Sequence, residues 1–347
     1  MSGRESPTSN DATIAGDLVE EEAGPISDIP VILHVGLHKT ATTWLQTQMF
    51  SKNDSIVYCG DNRLSHAAFL TPRFGDFSVG RVHRLFAPHI EKARATGLPI
   101  VISDEALGGL PFHQRHLAEH TAVRLHQAFP RAILLVTIRE QARIIGSIYG
   151  EYLRYGYASG LSAFLDQETG NPNIHPVLDL EYYSFARKWR FYADLFGSDR
   201  VAMIPMEWLL EDPGRFVAHL SGILGQRVDL PDTARPARRV RPALSGPAQA
   251  ILRLANHCVP QDSRWRVSGS RLSPNSIAYH VDRLTPGWAR HMGKGGRTAF
   301  VRKAVGSYYG SSNKAVSDII GLDLSRYEYV VKEPSKDGAN ATQDPNV

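Results

Sequence analysis

Three short stretches of the chain carry side chains that could do chemistry on an anion. In Val31–Gln46 (VILHVGLHKTATTWLQ) an apolar run breaks at Gly36 and passes Lys39, Thr40, Thr42 and Thr43 into a helix-like segment. That layout predicts a buried strand, a tight turn and a helix start. The first N–H groups of a helix lack partners and sit at its positive end, so such a turn attracts anions. Lys39 adds a full charge and the threonine hydroxyls add donors. A second stretch, Ile138–Tyr149, places Arg139 at a strand end and Ser147 two helical turns later. A planar guanidinium and a hydroxyl so spaced suit a phosphate, with the arginine binding through two bonds. The third is Ser103-Asp104-Glu105, where Glu105 offers a carboxylate base.

The elements that must position these residues follow from hydrophobic pattern. Five apolar runs predict strands: Val31–Val35, Ser55–Cys59, Leu98–Ser103, Ala132–Ile138 and Val201–Pro205. Helical patterns fall at Arg81–Ala95, His113–Phe129, Gln141–Tyr155, Tyr182–Phe196 and Pro213–Leu224, then at Pro247–His257 and Asn313–Ile320. Asp212 and Pro213 open one of these helices, and Gly321 closes the last. Residues 60–80 read as a substrate-side loop, and the span from about 235 to 300 as irregular with one helix. Strands alternating with helices predict a parallel sheet flanked by helices, whose ligands bind beyond the strands' carboxyl ends. Lys39, Asp104-Glu105 and Arg139 all fall just past such ends, so charge converges on one edge of the sheet.

The first stretch lacks the G-x-x-x-x-G-K-[ST] of nucleoside-triphosphate loops. Its Lys39-Thr40-Ala41-Thr42-Thr43-Trp44-Leu45 resembles the phosphosulfate loop K-[TS]-G-T-T-x-L of sulfotransferases that use 3′-phosphoadenosine 5′-phosphosulfate (PAPS), with Ala41 replacing glycine. Arg139 and Ser147 resemble the family's 3′-phosphate motif R-x-P-x-x-x-x-x-S, with Gln141 replacing proline. Looser similarity, to bacterial carbohydrate-type members, runs through Glu207-Trp208-Leu209, Asp212-Pro213, Ser312-Asn313-Lys314 and Gly321–Tyr327. The resemblance implies a P-loop-type α/β fold and a metal-independent sulfuryl transfer from PAPS to a hydroxyl of a carbohydrate, glycosylated or lipid-like metabolite. It implies that His38, Lys39, Thr40, Ala41, Thr42, Thr43, Trp44, Arg139 and Ser147 hold the donor. Lys294 and Arg297, in a glycine-rich basic run, resemble a further nucleotide contact. Lys39 would stabilise the leaving phosphate and Glu105 would take the acceptor's proton. Glu105 has structural alternatives, capping the next segment or pairing with Arg139, and His66 and His83 are rival bases. Tyr149 is a candidate lining residue of the acceptor site.

Composition bounds the rest. The 347 residues are 42% hydrophobic, enough for a packed α/β core. The reading divides them into an N-terminal arm (1–29), a single domain (30–332) with a basic insertion or lid (235–303), and a tail (333–347). No run approaches the length of a membrane span, and the acidic N-terminus resembles neither a signal nor a transit peptide. Two distant cysteines, Cys59 and Cys258, make no disulfide framework, and a cytoplasmic location is expected. No Cys/His spacing suggests a metal. Between Arg235 and Lys303 the chain carries 14 Lys/Arg against Asp262 and Asp282, which fits either an anionic partner (a nucleotide cofactor, an acidic substrate or a lipid headgroup surface) or a solvated basic face. Nucleic acid is not expected, since no recognised binding module accompanies the charge. Two other functions stay open: a small-molecule kinase using ATP and magnesium, and a non-enzymatic anion- or membrane-surface-binding protein.

Overall fold

A computed structural model describes residues 26, 28–73, 75–109, 115–168, 176–225, 227–229, 244–258, 273–290 and 294–332. The N-terminal arm through Pro25, the tail from Glu333, the start of the helix expected from His113, and residues 235–243, 259–272 and 291–293 of the basic segment lie outside these, as does the Lys294 side chain.

Five strands, β1 (Val31–His34), β2 (Val57–Cys59), β3 (Ile100–Ser103), β4 (Ile133–Ile138) and β5 (Val201–Pro205), form one parallel sheet in the order β2-β3-β1-β4-β5. Their sequences are nearly all apolar because helices cover both faces of a parallel sheet. Leu33 pairs with Ile102 on one side and Leu134 on the other, and all three are buried. The connection after β1 leaves toward β2, and that after β4 leaves toward β5. The loops that follow β1 and β4 therefore part from one another and open a crevice at their carboxyl ends, where open α/β sheets bind ligands.

All five expected strands are present, with β2 and β3 each two residues shorter at the start than expected and β1 and β4 each one residue shorter. Helix ends follow local chemistry. Asp212 caps Pro213–Leu224 by accepting from Arg215 N at 3.0 Å, and Gly321 closes Gly310–Ile320 in the left-handed conformation. Gln141–Arg154 starts behind the buried Glu140, whose carboxylate accepts from the N–H groups of Ala142 and Arg143.

Three expectations change. Residues 60–80 are partly helical: Asp61 caps Asn62–Ser65, and a wider turn, His66–Leu70, buries Ala68 and Phe69. Phe69 packs beside Phe86 and Phe129, so this apolar run belongs to the core. The helix expected over Tyr182–Phe196 is broken at Ser184 into a 3₁₀ turn (Leu180–Tyr183) and a helix (Phe185–Phe196), which buries both Tyr182 and Tyr183. The basic segment is far from irregular where described, with helices Gly246–Cys258, Pro274–Leu284, Gly287–Arg290 and Lys294–Val305. Its Gly and Pro residues mark helix starts; Pro274, for example, occupies a first turn capped by Ser273.

Gln141 does more than loosen a turn. Its amide exchanges two hydrogen bonds with that of Asn313, at 2.7 and 3.1 Å, and ties the Arg139 helix to the closing helix Gly310–Ile320. Among the described residues no helix is long and apolar enough to cross a membrane.

Candidate functional site

The loop after β1 is held from below by a chain of buried polar groups. Thr40 Oγ1 donates to the Leu37 carbonyl at 2.5 Å, so its contact with Thr137 Oγ1 at 2.7 Å must be one it accepts. Thr137 in turn accepts from His34 Nε2 at 3.3 Å, and His34 Nδ1 accepts from Ser103 Oγ at 2.7 Å. Gln46 Nε2 donates to Ser103 Oγ at 3.3 Å and to its carbonyl at 3.0 Å. One direction of donation thus runs from Gln46 to Leu37, across the ends of β3, β1 and β4. It requires His34 to be neutral with its proton on Nε2. Burial enforces the same state, depressing the His34 pKa to about 4 against a small opposing pull from Glu105.

Gly36 makes this chain possible. A Cβ at that position would lie 2.5 Å from His34 Nε2 and 2.6 Å from Thr137 Oγ1. Above it the backbone turns left-handed at Lys39 (φ 69°) and Ala41 (φ 68°), two of only three non-glycine residues with positive φ among those described. Left-handed backbone costs an L-residue roughly 1–2 kcal/mol, and such strain clusters at functional sites. Ala41 begins the helix Thr42–Trp44, which continues as a wider turn over Leu45–Met49 and a 3₁₀ turn over Phe50–Lys52. No side chain caps this start. Its first N–H groups and the buried Thr42 hydroxyl, which has no hydrogen-bond partner, are left for a ligand. Trp44 faces the core; Thr43 is exposed.

The charged groups gather around this loop. Arg139 leaves β4 and donates from Nη1 to the Lys39 carbonyl at 3.2 Å, so the two motif residues meet. Lys39 Nζ lies 3.0 Å from Glu151 Oε2 on the helix Gln141–Arg154. His38 Nδ1 lies 3.3 Å from Glu105 Oε1. Burial works to raise the Glu105 pKa, but the hydrogen bond from His38 and the charges of His38 and Lys39 outweigh it and hold the carboxyl below its usual range. Glu105 neither caps its turn nor pairs with Arg139. The cap is Asp104, which accepts from Ala106 N at 2.9 Å and from Ser65 Oγ at 2.6 Å, with His66 Nε2 at 3.3 Å. His66 is thereby placed at the end of β3, half-exposed.

Other expected residues lie elsewhere or are engaged. Ser147 is half-buried on the helix Gln141–Arg154, one turn before Glu151. Arg297 packs near Gly150 of that helix, where a Cβ would come 3.5 Å from its Nη1, and it donates to Gln249 Oε1. His83 bonds to the Ala128 carbonyl at 3.1 Å, at the end of the helix that leads into β4, and so away from the strands' carboxyl ends. The buried Tyr149 donates to the Ser159 carbonyl and packs in an aromatic group with Tyr157 and Phe164. Neither His83 nor Tyr149 joins the cluster around Lys39.

Two parts of the site escaped the sequence reading. Glu151 was overlooked although it stands four residues after Ser147, on the same helix face. The link between His34, Ser103 and Thr137 is not evident in sequence because each is a single polar residue at or next to the end of an apolar strand; polar residues at the ends of three adjacent strands are the signal.

No protein-family model matches the sequence, and no curated protein matches it. Among solved structures the chain is similar to a sulfotransferase from Alicyclobacillus acidocaldarius, with 16% identity over 86% of this chain and 98% of that one and a TM-score of 0.50. It is also similar to the sulfotransferase domain of the Synechococcus PCC 7002 olefin synthase (14% identity, 80% and 93% covered, TM-score 0.32). A third is the sulfotransferase domain from the curacin biosynthetic pathway (11% identity, 81% and 98% covered, TM-score 0.31). The first likeness shows the fold: a five-stranded parallel sheet flanked by helices, of the sulfotransferase type. At their lower scores the other two add nothing to that assignment.

Two outcomes follow. Ala41→Gly removes left-handed strain and raises unfolding free energy by about 1 kcal/mol, measurable as a higher urea midpoint; an unchanged or lower midpoint contradicts the strain. His34 stays neutral in the folded protein down to about pH 4, whereas in the unfolded chain it binds a proton near pH 6.5. Stability is therefore lost as pH falls from about 6.5 toward about 4, by up to about 3 kcal/mol from this residue. Nitrogen-15 spectra at pH 5.5 check it, and an imidazolium signal from His34 would contradict it.

Proposed function

We propose that the protein is a sulfotransferase that moves the sulfuryl group of PAPS to a hydroxyl of a carbohydrate, glycosylated or lipid-like acceptor. The observation that supports it most is the His38–Trp44 loop. An uncapped helix start, an unpartnered buried hydroxyl and a lysine meet there, with Arg139 bound to the loop's own backbone. This donor set suits an anion with several oxygens.

In this reading the loop N–H groups and Thr42 take the phosphosulfate, and Arg139 and Ser147 take the 3′-phosphate. The donor supplies an activated sulfuryl group on a phosphate leaving oxygen. Transfer of such groups passes through a loose transition state that asks the protein mainly for positioning and charge. Lys39 provides the charge on the leaving oxygen, an interaction worth about 3 kcal/mol of barrier by analogy with oxyanion donors. Glu151 keeps the ammonium at the loop's mouth. Glu105, ionised through neutral pH and oriented by His38, accepts the acceptor's proton as its oxygen attacks sulfur.

The test is transfer of labelled sulfate from PAPS to a panel of sugar and lipid alcohols. Lys39→Ala is expected to lower kcat by roughly 10²–10³-fold, and Glu105→Gln by roughly 10²–10⁴-fold. Because the Glu105 pKa is depressed, wild-type activity should hold as pH falls to about 5 and drop only below the ordinary glutamate range near 4.3. Full activity in Glu105→Gln would remove it as the base. Transfer from ATP with magnesium, and none from PAPS, would turn the reading to a kinase.

A further inference from the structure

The helices of the basic segment turn apolar side chains outward. Gly246–Cys258 and Pro274–Leu284 pack together antiparallel, joined where Ser245 N donates to Asp282 Oδ1 at 2.6 Å. Their inner faces bury Ala248, Leu252 and Ala278. Asn256 donates to the Leu153 and Tyr157 carbonyls, and Asn275 to that of Arg154, so the pair is anchored on the end of the helix that carries Ser147 and Glu151. Such anchoring would ordinarily leave polar residues outside. Here Leu254 is 67% exposed, Tyr279 63%, Leu284 82% and Trp288 75%. Leu284 ends one helix and Trp288 is the second residue of the next, on either side of the short Thr285-Pro286 connection, and arginines at 283 and 290 bracket this turn in sequence.

Charge is divided in the same way. Residues 235–303 hold 14 Lys/Arg and two acidic residues, while the whole chain holds 39 against 35, leaving the remainder with 25 against 33. Among the described residues Leu284 and Trp288 are exposed beside the exposed Arg283, and the sequence of this segment is basic where the rest of the chain is acidic; that combination has a complement in an anionic bilayer. Leucine and tryptophan enter the headgroup boundary, and arginines meet lipid phosphates. A soluble acidic protein would satisfy the charge yet would not call for a leucine and a tryptophan projecting at one turn.

We propose that this face docks the protein on an anionic lipid surface, with the Leu284–Trp288 turn inserted. Docking of this kind does not depend on sulfuryl transfer and concerns where the protein works.

The test is cosedimentation of the full chain with phosphatidylcholine vesicles, with or without phosphatidylglycerol, at low and high salt. Binding is expected only to the anionic vesicles and should weaken at high salt as charges are screened. Leu284→Ser with Trp288→Ser should lower partitioning at least about tenfold through lost apolar burial. Arg253→Glu with Arg283→Glu, which reverses two charges on the same pair of helices, should lower it as well. No binding to anionic vesicles at low salt overturns the proposal, as does equal binding by wild type and both variants. A dimer in sedimentation velocity that Trp288→Ser abolishes also overturns it, because a second copy then covers the patch.

Discussion

The loop at the centre of this protein depends on one line of hydrogen bonds with a single permitted direction. Thr40 must donate to the Leu37 carbonyl, which can only accept, and the donations from Thr137 to Thr40, His34 to Thr137 and Ser103 to His34 then follow in one sense. A half-satisfied polar chain in the core is costly, and a complete one fixes its members in place. The line crosses the ends of three adjacent strands, so it couples the loop's shape to the register of the sheet. Gly36 is obligatory because the space a Cβ would take is already occupied by the chain's own atoms.

This support accounts for a backbone that would otherwise relax. Lys39 and Ala41 hold left-handed conformations that neither residue favours, and the loop between β1 and the next helix is too short to share the strain. The result is a rigid turn whose free donors face the crevice between β1 and β4. Charge is then assembled around it in layers. Arg139 binds the loop's backbone, Glu151 engages Lys39, and Glu105 engages His38. Each contact joins a different element, so the cluster exists only in the folded sheet. Gln141 and Asn313 extend the same logic outward by tying the Arg139 helix to the closing helix.

Much of this was legible in the sequence, for a physical reason. Parallel strands buried on both faces must be continuous apolar runs, and all five stood out as such. Capping chemistry placed the helix at Pro213 and the end at Gly321. Reading failed where burial overrode local composition. The His66–Leu70 run looked like a loop because Gly and Pro surround it, yet Phe69 had a place in the core. Gly246, Pro274 and Gly287 of the basic segment read as breaks within irregular chain and are helix starts. In the site, Lys39 and Arg139 announced themselves by motif. His34 and Glu151 did not, since a lone polar residue acquires meaning only from neighbours that folding supplies.

The loop's proposed role as a site for a nucleotide phosphosulfate donor is the point on which every catalytic assignment depends. Calorimetric titration of the wild-type protein with 3′-phosphoadenosine 5′-phosphate, without metal, tests that claim most directly. Micromolar binding, weakened at least about tenfold in both Lys39→Ala and Arg139→Ala, is the predicted result, since each variant deletes a charged contact worth more than 1.4 kcal/mol. No binding, or binding that both variants retain in full, would contradict it.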